Sequence, residues 1–247
     1  LTRSNYETVA DFSLLNVDEI PDDCDTLLIN APTSDISDEE LTMLRDYVQG
    51  GGKLLVFSGP QKDAELTNLD ALLTDYDITV NNGVVVDNDR EHYAFTAPYV
   101  LMPDIASSDI TDPLTEESSH VIVPIAQGLT VGSNSSVTAL LTTSDEAFSK
   151  AAGYAMTTYD KEDGDTDGPF TLAVSITDSN ADGKIVWVST DYLLDDMYNS
   201  YSSGANLDFV MNGLSWMIGK NDAVSIRAKS LNNTYLTISS SSATVLK

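Results

Sequence analysis

Positive charge is scarce in this chain. Lys and Arg number 12 against 39 Asp and Glu, for a net charge of −27 with histidine neutral. Nucleic acid and anionic membrane are both polyanions, so this balance argues against either as a partner. Its plainest meaning is a solvated acidic surface. Cysteine occurs once, which rules out an intrachain disulfide, although a secreted protein can do without one. Cys24 sits among Asp22, Asp23 and Asp25, carboxylates that disfavour the thiolate a nucleophile needs. The two histidines, His92 and His120, are far apart and have no Cys or Glu at metal-ligand spacing, so no zinc site is expected from them. No apolar run approaches the ~18 residues of a membrane span, and no signal peptide is visible. G-x-G-x-x-G, a P-loop and G-x-S-x-G are absent too, and no cofactor is expected.

What the chain does have is 42% apolar residues over 247 positions, enough for a real core in one large α/β domain or two modest ones. The stretch Asp25–Pro60 organises it. Thr26–Ile29 and Leu54–Phe57 are apolar runs of strand length. Between them, Ser37 suits a helix N-cap with Glu40 completing a capping box, and Ile36 and Leu41 fit a hydrophobic staple. Leu41, Leu44, Tyr47 and Val48 follow helical spacing, and Gly50-Gly51-Gly52 ends the helix. This is a βαβ unit with parallel strands and a right-handed crossover. Ligands of such sheets sit beyond the strands' carboxyl ends. The candidate pocket residues there are Asn30, Thr33, Ser58 and Gly59, joined by Asp191 after a later strand.

Further elements follow along the chain. Leu1–Val17 reads as the tail of a helix and a strand over Glu7–Phe12, with the domain's first strand expected upstream of Leu1. Ala64–Leu73 has a short helical face. Asn81-Asn82-Gly83 between Ile78–Val80 and Val84–Val86 predicts a tight hairpin. Ala94–Gly128 holds four prolines and reads as a loop-rich insertion ending in a strand at Val121–Val123. Val137–Leu141 predicts a strand and Glu146–Lys150 a short helix. Ala155–Tyr159, Phe170–Thr177 and Lys184–Ser189 predict three more strands. Ala205–Ile218 has the i, i+3, i+4, i+7 pattern of a helix stopped by Gly219. Strands are expected at Val224–Lys229 and Tyr235–Ser239, with a linker at Ser239–Ser242. The domain thus spans 1–222, and 223–247 forms a β extension leading to a membrane anchor outside this chain. The start at Leu1 rather than Met fits a fragment whose targeting or anchoring segments lie elsewhere.

Two acidic runs resemble the front half of a calcium loop: Asp163, Asp165 and Asp167 before Gly168, and Asp178, Asn180 and Asp182 before Gly183. Both lack the closing Glu, having Val174 and Ser189 at the twelfth position, and both lie between strands where Asp, Asn and Gly form turns. Ser58 is the nearest approach to a nucleophile elbow, but Pro60 would disturb the helix start that activates such a serine. No catalytic set is complete, and the chain is expected not to be an enzyme.

The P-T-S-D-I-S-D-E-E and Y-V-Q-G-G-G-K-L-L-V segments of Asp25–Pro60 resemble the GldG-like family of ABC-transporter auxiliary proteins. Matches continue in order at Asn68–Leu73, Tyr99–Ile105, Leu140–Ser144, Gly164–Val174 and Val224–Leu231. The resemblance implies an extracytoplasmic domain on the cell-surface side of the cytoplasmic membrane. It would be anchored by helices outside this chain and work beside an ABC transporter permease and ATPase. It also implies a flavodoxin-like or class I glutamine amidotransferase-like fold, a mostly parallel sheet with helices on both faces. The place matching the amidotransferase cysteine is Ser58-Gly59, so that chemistry is not carried over. The expected function is a non-enzymatic accessory domain of a gliding-motility-like transport system, binding a partner protein or surface glycan. The alternative is a small-ligand receptor or hydrolase using the strand-end pocket.

Overall fold

The structure, a computed structural model, describes residues 7–9, 12–17 and 19–219. Its framework is the βαβ unit. β1 (Leu27–Asn30) and β2 (Lys53–Phe57) run parallel and in register, joined by α1 (Asp38–Gln49). The Ser37 hydroxyl accepts from the Glu40 N–H at 3.2 Å, and the Glu40 carboxylate accepts from the Ser37 N–H at 2.8 Å, completing the capping box. At the far end the Gly52 N–H bonds the Tyr47 carbonyl and the Gly51 N–H bonds that of Val48, with Gly51 at φ 99°. That paired arrangement closes the helix and needs the left-handed conformation that glycine adopts cheaply.

The remaining elements are α2 (Thr67–Thr74), β3 (Ile78–Asn81), β4 (Val84–Asp87), β5 (Val100–Leu101), β6 (Asp104–Ile105), α3 (Asp112–Glu116), β7 (Val123–Pro124), β8 (Gly128–Val131), β9 (Val137–Thr142), β10 (Ala147–Lys150), β11 (Thr166–Asp167), β12 (Thr171–Thr177), β13 (Lys184–Val188), α4 (Asp196–Tyr201) and α5 (Ala205–Ile218). The main sheet runs β1-β2-β13-β12-β8-β3, with β9 also on β12 and β6 on β9. Only β1–β2 and β2–β13 are parallel; the other pairs are antiparallel. The expected mostly parallel sheet is therefore a mixed one. The reason is local: β12 and β13 are joined by the tight turn over Asp178–Gly183, too short for anything but an antiparallel return.

Helices cover both faces, as expected. Leu54, Val56, Ile185 and Trp187 point to one face and pack with Leu44 and Val48 of α1 and Leu69, Leu72 and Leu73 of α2. Leu55, Phe57, Val186 and Val188 alternate to the other face and meet Phe209, Val210, Leu214 and Met217 of α5. β2 and β13 are near-continuous apolar runs because both of their faces are buried.

Several expectations need correction. β3 and β4 do not form a hairpin: β3 pairs with β8, whereas β4 joins a separate sheet with β10 and β11. Gly83, at φ 114°, passes so close to the Lys150 carbonyl that a Cβ there would lie 2.3 Å from it, and the chain turns away between sheets. Where a helix was expected over Glu146–Lys150, Ala147–Lys150 is strand β10. Ala155–Tyr159 is irregular, following a single 3-10 turn over Gly153–Ala155. The strand expected at Val121–Val123 is β7 at Val123–Pro124, at the end of the largely irregular Ala94–Gly128 segment. Leu101, Ile110, Leu114, Val121 and Val123 of that segment are buried in the α5-side core. Residues 7–9 and 12 of the expected Glu7–Phe12 strand are irregular; the other two, and the C-terminal strands and linker beyond 219, lie outside the described residues. Among the described residues no helix is long and apolar enough to cross a membrane.

Candidate functional site

β1, β2 and β13 end side by side, and the loops that follow are stitched together. The Ala31 N–H donates to the Phe57 carbonyl, and the Ser58 N–H donates to that of Val188. The Asp191 carboxylate accepts from the Gly59 N–H at 2.7 Å and from the Gln61 amide at 3.2 Å; the same amide reaches the Gly59 carbonyl. A Cβ on Gly59 would sit 2.9 Å from the Asp191 nitrogen, so only glycine lets the two loops approach this closely. Burial raises the Asp191 pKa, and the Gly59 and Gln61 hydrogen bonds oppose the rise without cancelling it.

Of the five expected pocket residues, this geometry joins Gly59 and Asp191 directly. Ser58 lies beneath them, 3% exposed. Asn30 and Thr33 are exposed at the end of β1. Among the described residues neither histidine bonds Ser58: His92 is held by Asp89 at 3.0 Å and Asp104 at 3.4 Å, and His120 is exposed on the insertion. An open groove of about 1340 Å³ starts at Gly59 and runs along the 59–67 loop and α2 to Gly83 and the 151–155 turn. It includes neither Asn30, Thr33, Ser58 nor Asp191. Within it, burial and then the charge of Asp35 push the Asp70 carboxyl up to about 7. Asp70 was not anticipated from sequence, since burial of one carboxylate in a short helix leaves no spacing signature.

Asp35 has a second task. α2 has no cap of its own, because Leu66 stands at its N-cap. The Asp35 carboxylate supplies one from the β1–α1 loop, accepting from the N–H groups of Asn68 at 2.7 Å and Leu69 at 3.0 Å. Asn68 in return donates to the Ile36 carbonyl and the Asp38 carboxylate. A carboxylate on the first turn of a helix combines capping with the dipole. Asp35→Ala is therefore expected to lower stability by about 2 kcal/mol in urea denaturation. A change under ~0.5 kcal/mol would show that α2 is held by packing alone.

The first acidic run faces an internal cation. Lys150 is fully buried, and its ammonium meets Glu162 at 2.6 Å, Asp165 at 2.9 Å and the Asp160 carbonyl at 2.8 Å. Desolvation lowers the Lys150 pKa, but the bonds and charges of Glu162 and Asp165 outweigh it and the value lies above the ordinary one. Asp165 also accepts from the Ala151 and Glu162 N–H groups, and Asp167 pairs with Lys161. In the second run, Asp178 accepts from the Tyr76 hydroxyl at 2.9 Å and the Asn180 N–H at 2.9 Å, as in a side-chain-stabilised turn. Among the described residues no group of three or more His, Cys, Asp or Glu is placed to hold a metal ion.

A family model described as an ABC-type uncharacterized transport system matches residues 2–213. The chain belongs to this family of ABC-type transport auxiliary proteins. The resemblance of the Asp25–Pro60 segments to such proteins thus holds over most of the chain. Comparison with curated proteins gives no match. Among solved structures, the mmIFT52 N-terminal domain aligns with a TM-score of 0.58 at 18% identity, over 78% of this chain and 77% of that one. At that identity the likeness speaks of the fold alone. In this ABC auxiliary domain the strand-end loops bond to one another, through Asp191 to Gly59 and Gln61.

Proposed function

We propose that this chain is a non-enzymatic, extracytoplasmic accessory domain of an ABC-type transport system, related to GldG-like proteins and binding as its partner the permease and ATPase complex or, failing that, a surface ligand. The observation that carries this reading is the tie between Gly59, Gln61 and Asp191. It occupies the strand-end position where an amidotransferase-like sheet would present its nucleophile, and Ser58 there is buried with neither histidine bonded to it among the described residues. Membership of the auxiliary family supports the partner class. The anchor belongs to segments outside this chain. In mild detergent, the tagged full-length protein is expected to co-purify with its permease and ATPase from native membranes. Repeated absence of both, with the protein folded, overturns the reading.

A second reading, a small-ligand receptor, is favoured by the groove beside Gly59 and its half-buried Asp70. A rise in melting temperature with a sugar or amino acid, abolished by Asp70→Ala, would select it. The hydrolase form of that alternative gains no support from the histidines, neither of which bonds Ser58 among the described residues.

A further inference from the structure

Around the end of β13, aromatic side chains link into one exposed ridge. The Phe95 and Tyr201 rings lie 4.5 Å apart, and those of Tyr99 and Tyr159 lie 5.6 Å apart. Tyr198, one helical turn before Tyr201 on α4, lies close enough to Tyr99 and Tyr192 to feel both. Tyr192 in turn lies beside Tyr154, which lines the groove. Most of these rings are well exposed, from Tyr192 at 37% to Tyr201 at 60%, and Leu194 and Met197 stand out among them at 42% and 49%. Isolated exposed apolar residues need no explanation, but a contiguous aromatic patch marks a binding surface. Tyrosine is the residue such surfaces favour, because it offers area and a hydroxyl at little cost in side-chain entropy.

Charge identifies the occupant. Residues 185–219, which carry three of the six rings, contain Asp191, Asp195, Asp196 and Asp208 and no Lys or Arg. Nearby cations are already engaged: Lys161 pairs with Asp167, and Arg90 sits over Tyr93, 4.8 Å from its ring centre. Aromatic faces attract cations, and carboxylates at their rim add to that attraction. A neutral glycan would use the rings but gain nothing from the charge. We infer that the ridge of Phe95, Tyr99, Tyr159, Tyr192, Tyr198 and Tyr201 docks a polypeptide segment of the partner rich in Arg or Lys interleaved with apolar residues. This rests on the accessory-domain reading and specifies the chemistry of its partner.

A labelled peptide of alternating Arg and Leu tests it by fluorescence anisotropy, with an alternating Glu-Leu peptide and cellohexaose as comparisons. The Arg-Leu peptide is expected to bind with an affinity that falls as salt rises. The double variant Tyr159→Ala/Tyr201→Ala, both at exposed positions, is expected to weaken binding at least tenfold at an unchanged urea midpoint. Asp195→Asn/Asp196→Asn, which keeps the acceptor that caps α4, is expected to weaken it severalfold and flatten the salt dependence. Absent peptide binding, equal binding by wild type and the tyrosine variant, or capture of cellohexaose instead would each overturn the inference. Co-purification separates the two proposals. If wild type and the tyrosine variant both retain the permease, the accessory role stands and this ridge is not its docking surface. If wild type itself fails to co-purify, the accessory role falls while the peptide titration still decides the ridge.

Discussion

Replacing Asn206 by leucine is expected to destabilise the fold by about 4 kcal/mol, because it leaves three buried backbone groups without partners. Asn206 stands in the first turn of α5 and is 0% exposed. Its carbonyl accepts from the Ile122 N–H at 2.9 Å, and its amide donates to the carbonyls of Ile122 and Leu193, each at 2.8 Å. One side chain thereby supplies the strand-like bonding that the irregular 118–122 segment cannot make for itself. Leucine keeps the same branching and is the bulkier side chain, so none of the loss would come from a cavity. Asn206→Asp should be comparably harmful, since it loses both donors and sets a carboxylate against two carbonyls. Urea denaturation at constant m-value reads the effect as a lower midpoint. A loss below ~1 kcal/mol would mean that water reaches Ile122 and Leu193, and the clamp would not matter.

The second large effect is expected at Lys150. Lys150→Met keeps the apolar stem but leaves Asp165, whose side chain is 3% exposed, beside no cation. Removing one partner of a buried pair commonly costs about 3–5 kcal/mol. Glu162 is 53% exposed and brings water to one side, so a loss of about 2–3 kcal/mol is expected. The pH dependence has a definite sign. The Lys150 pKa is raised in the fold, so its contribution is full below the ordinary lysine value and disappears as pH climbs through the folded one. Burial pushes Asp165 up, but the Glu162 N–H and Lys150 outweigh it and its pKa is lowered. Its contribution is therefore present above the ordinary aspartate value and lost as pH falls through the lowered one. The difference between wild type and Lys150→Met should thus hold across neutral pH and shrink in acid as Asp165 protonates. Equal stability of the two at pH 7 would refute the pairing as a source of stability.

The parts of the fold legible in the sequence are those whose signals are local. α1 announces itself through Ser37, Glu40 and the triple glycine, and every one of those residues acts as its type requires. α5 shows its periodicity and its Gly219 stop, and β12 and β13 show as buried apolar runs. What escaped depends on partners far along the chain. Glu146–Lys150 has no alternation long enough to mark a strand, and the burial of its lysine is made possible by carboxylates ten or more residues later. Asn81-Asn82-Gly83 carries the chemistry of a hairpin, yet β8 and β10 compete for the two flanking strands and win. At the candidate site, Gly59 and Asp191 could be located because both follow strands. Their direct bond spans 132 residues and leaves no trace in spacing. Asp35 stood in view in P-T-S-D-I-S-D-E-E, but its role is to cap a helix other than its own.

The place of β13 between β2 and β12 has a consequence for biosynthesis. Phe57 finds its neighbour Val188 only after the whole intervening chain has been made. At 5–20 residues per second, a ribosome delivers that strand on the order of ten seconds after β2. Through that interval the nascent βαβ unit presents an open hydrogen-bonding edge, and the last third of the chain must arrive before the interior is sealed. Nonlocal closure of this kind slows folding, and it gives a chaperone a long opening in which to hold the chain unfolded.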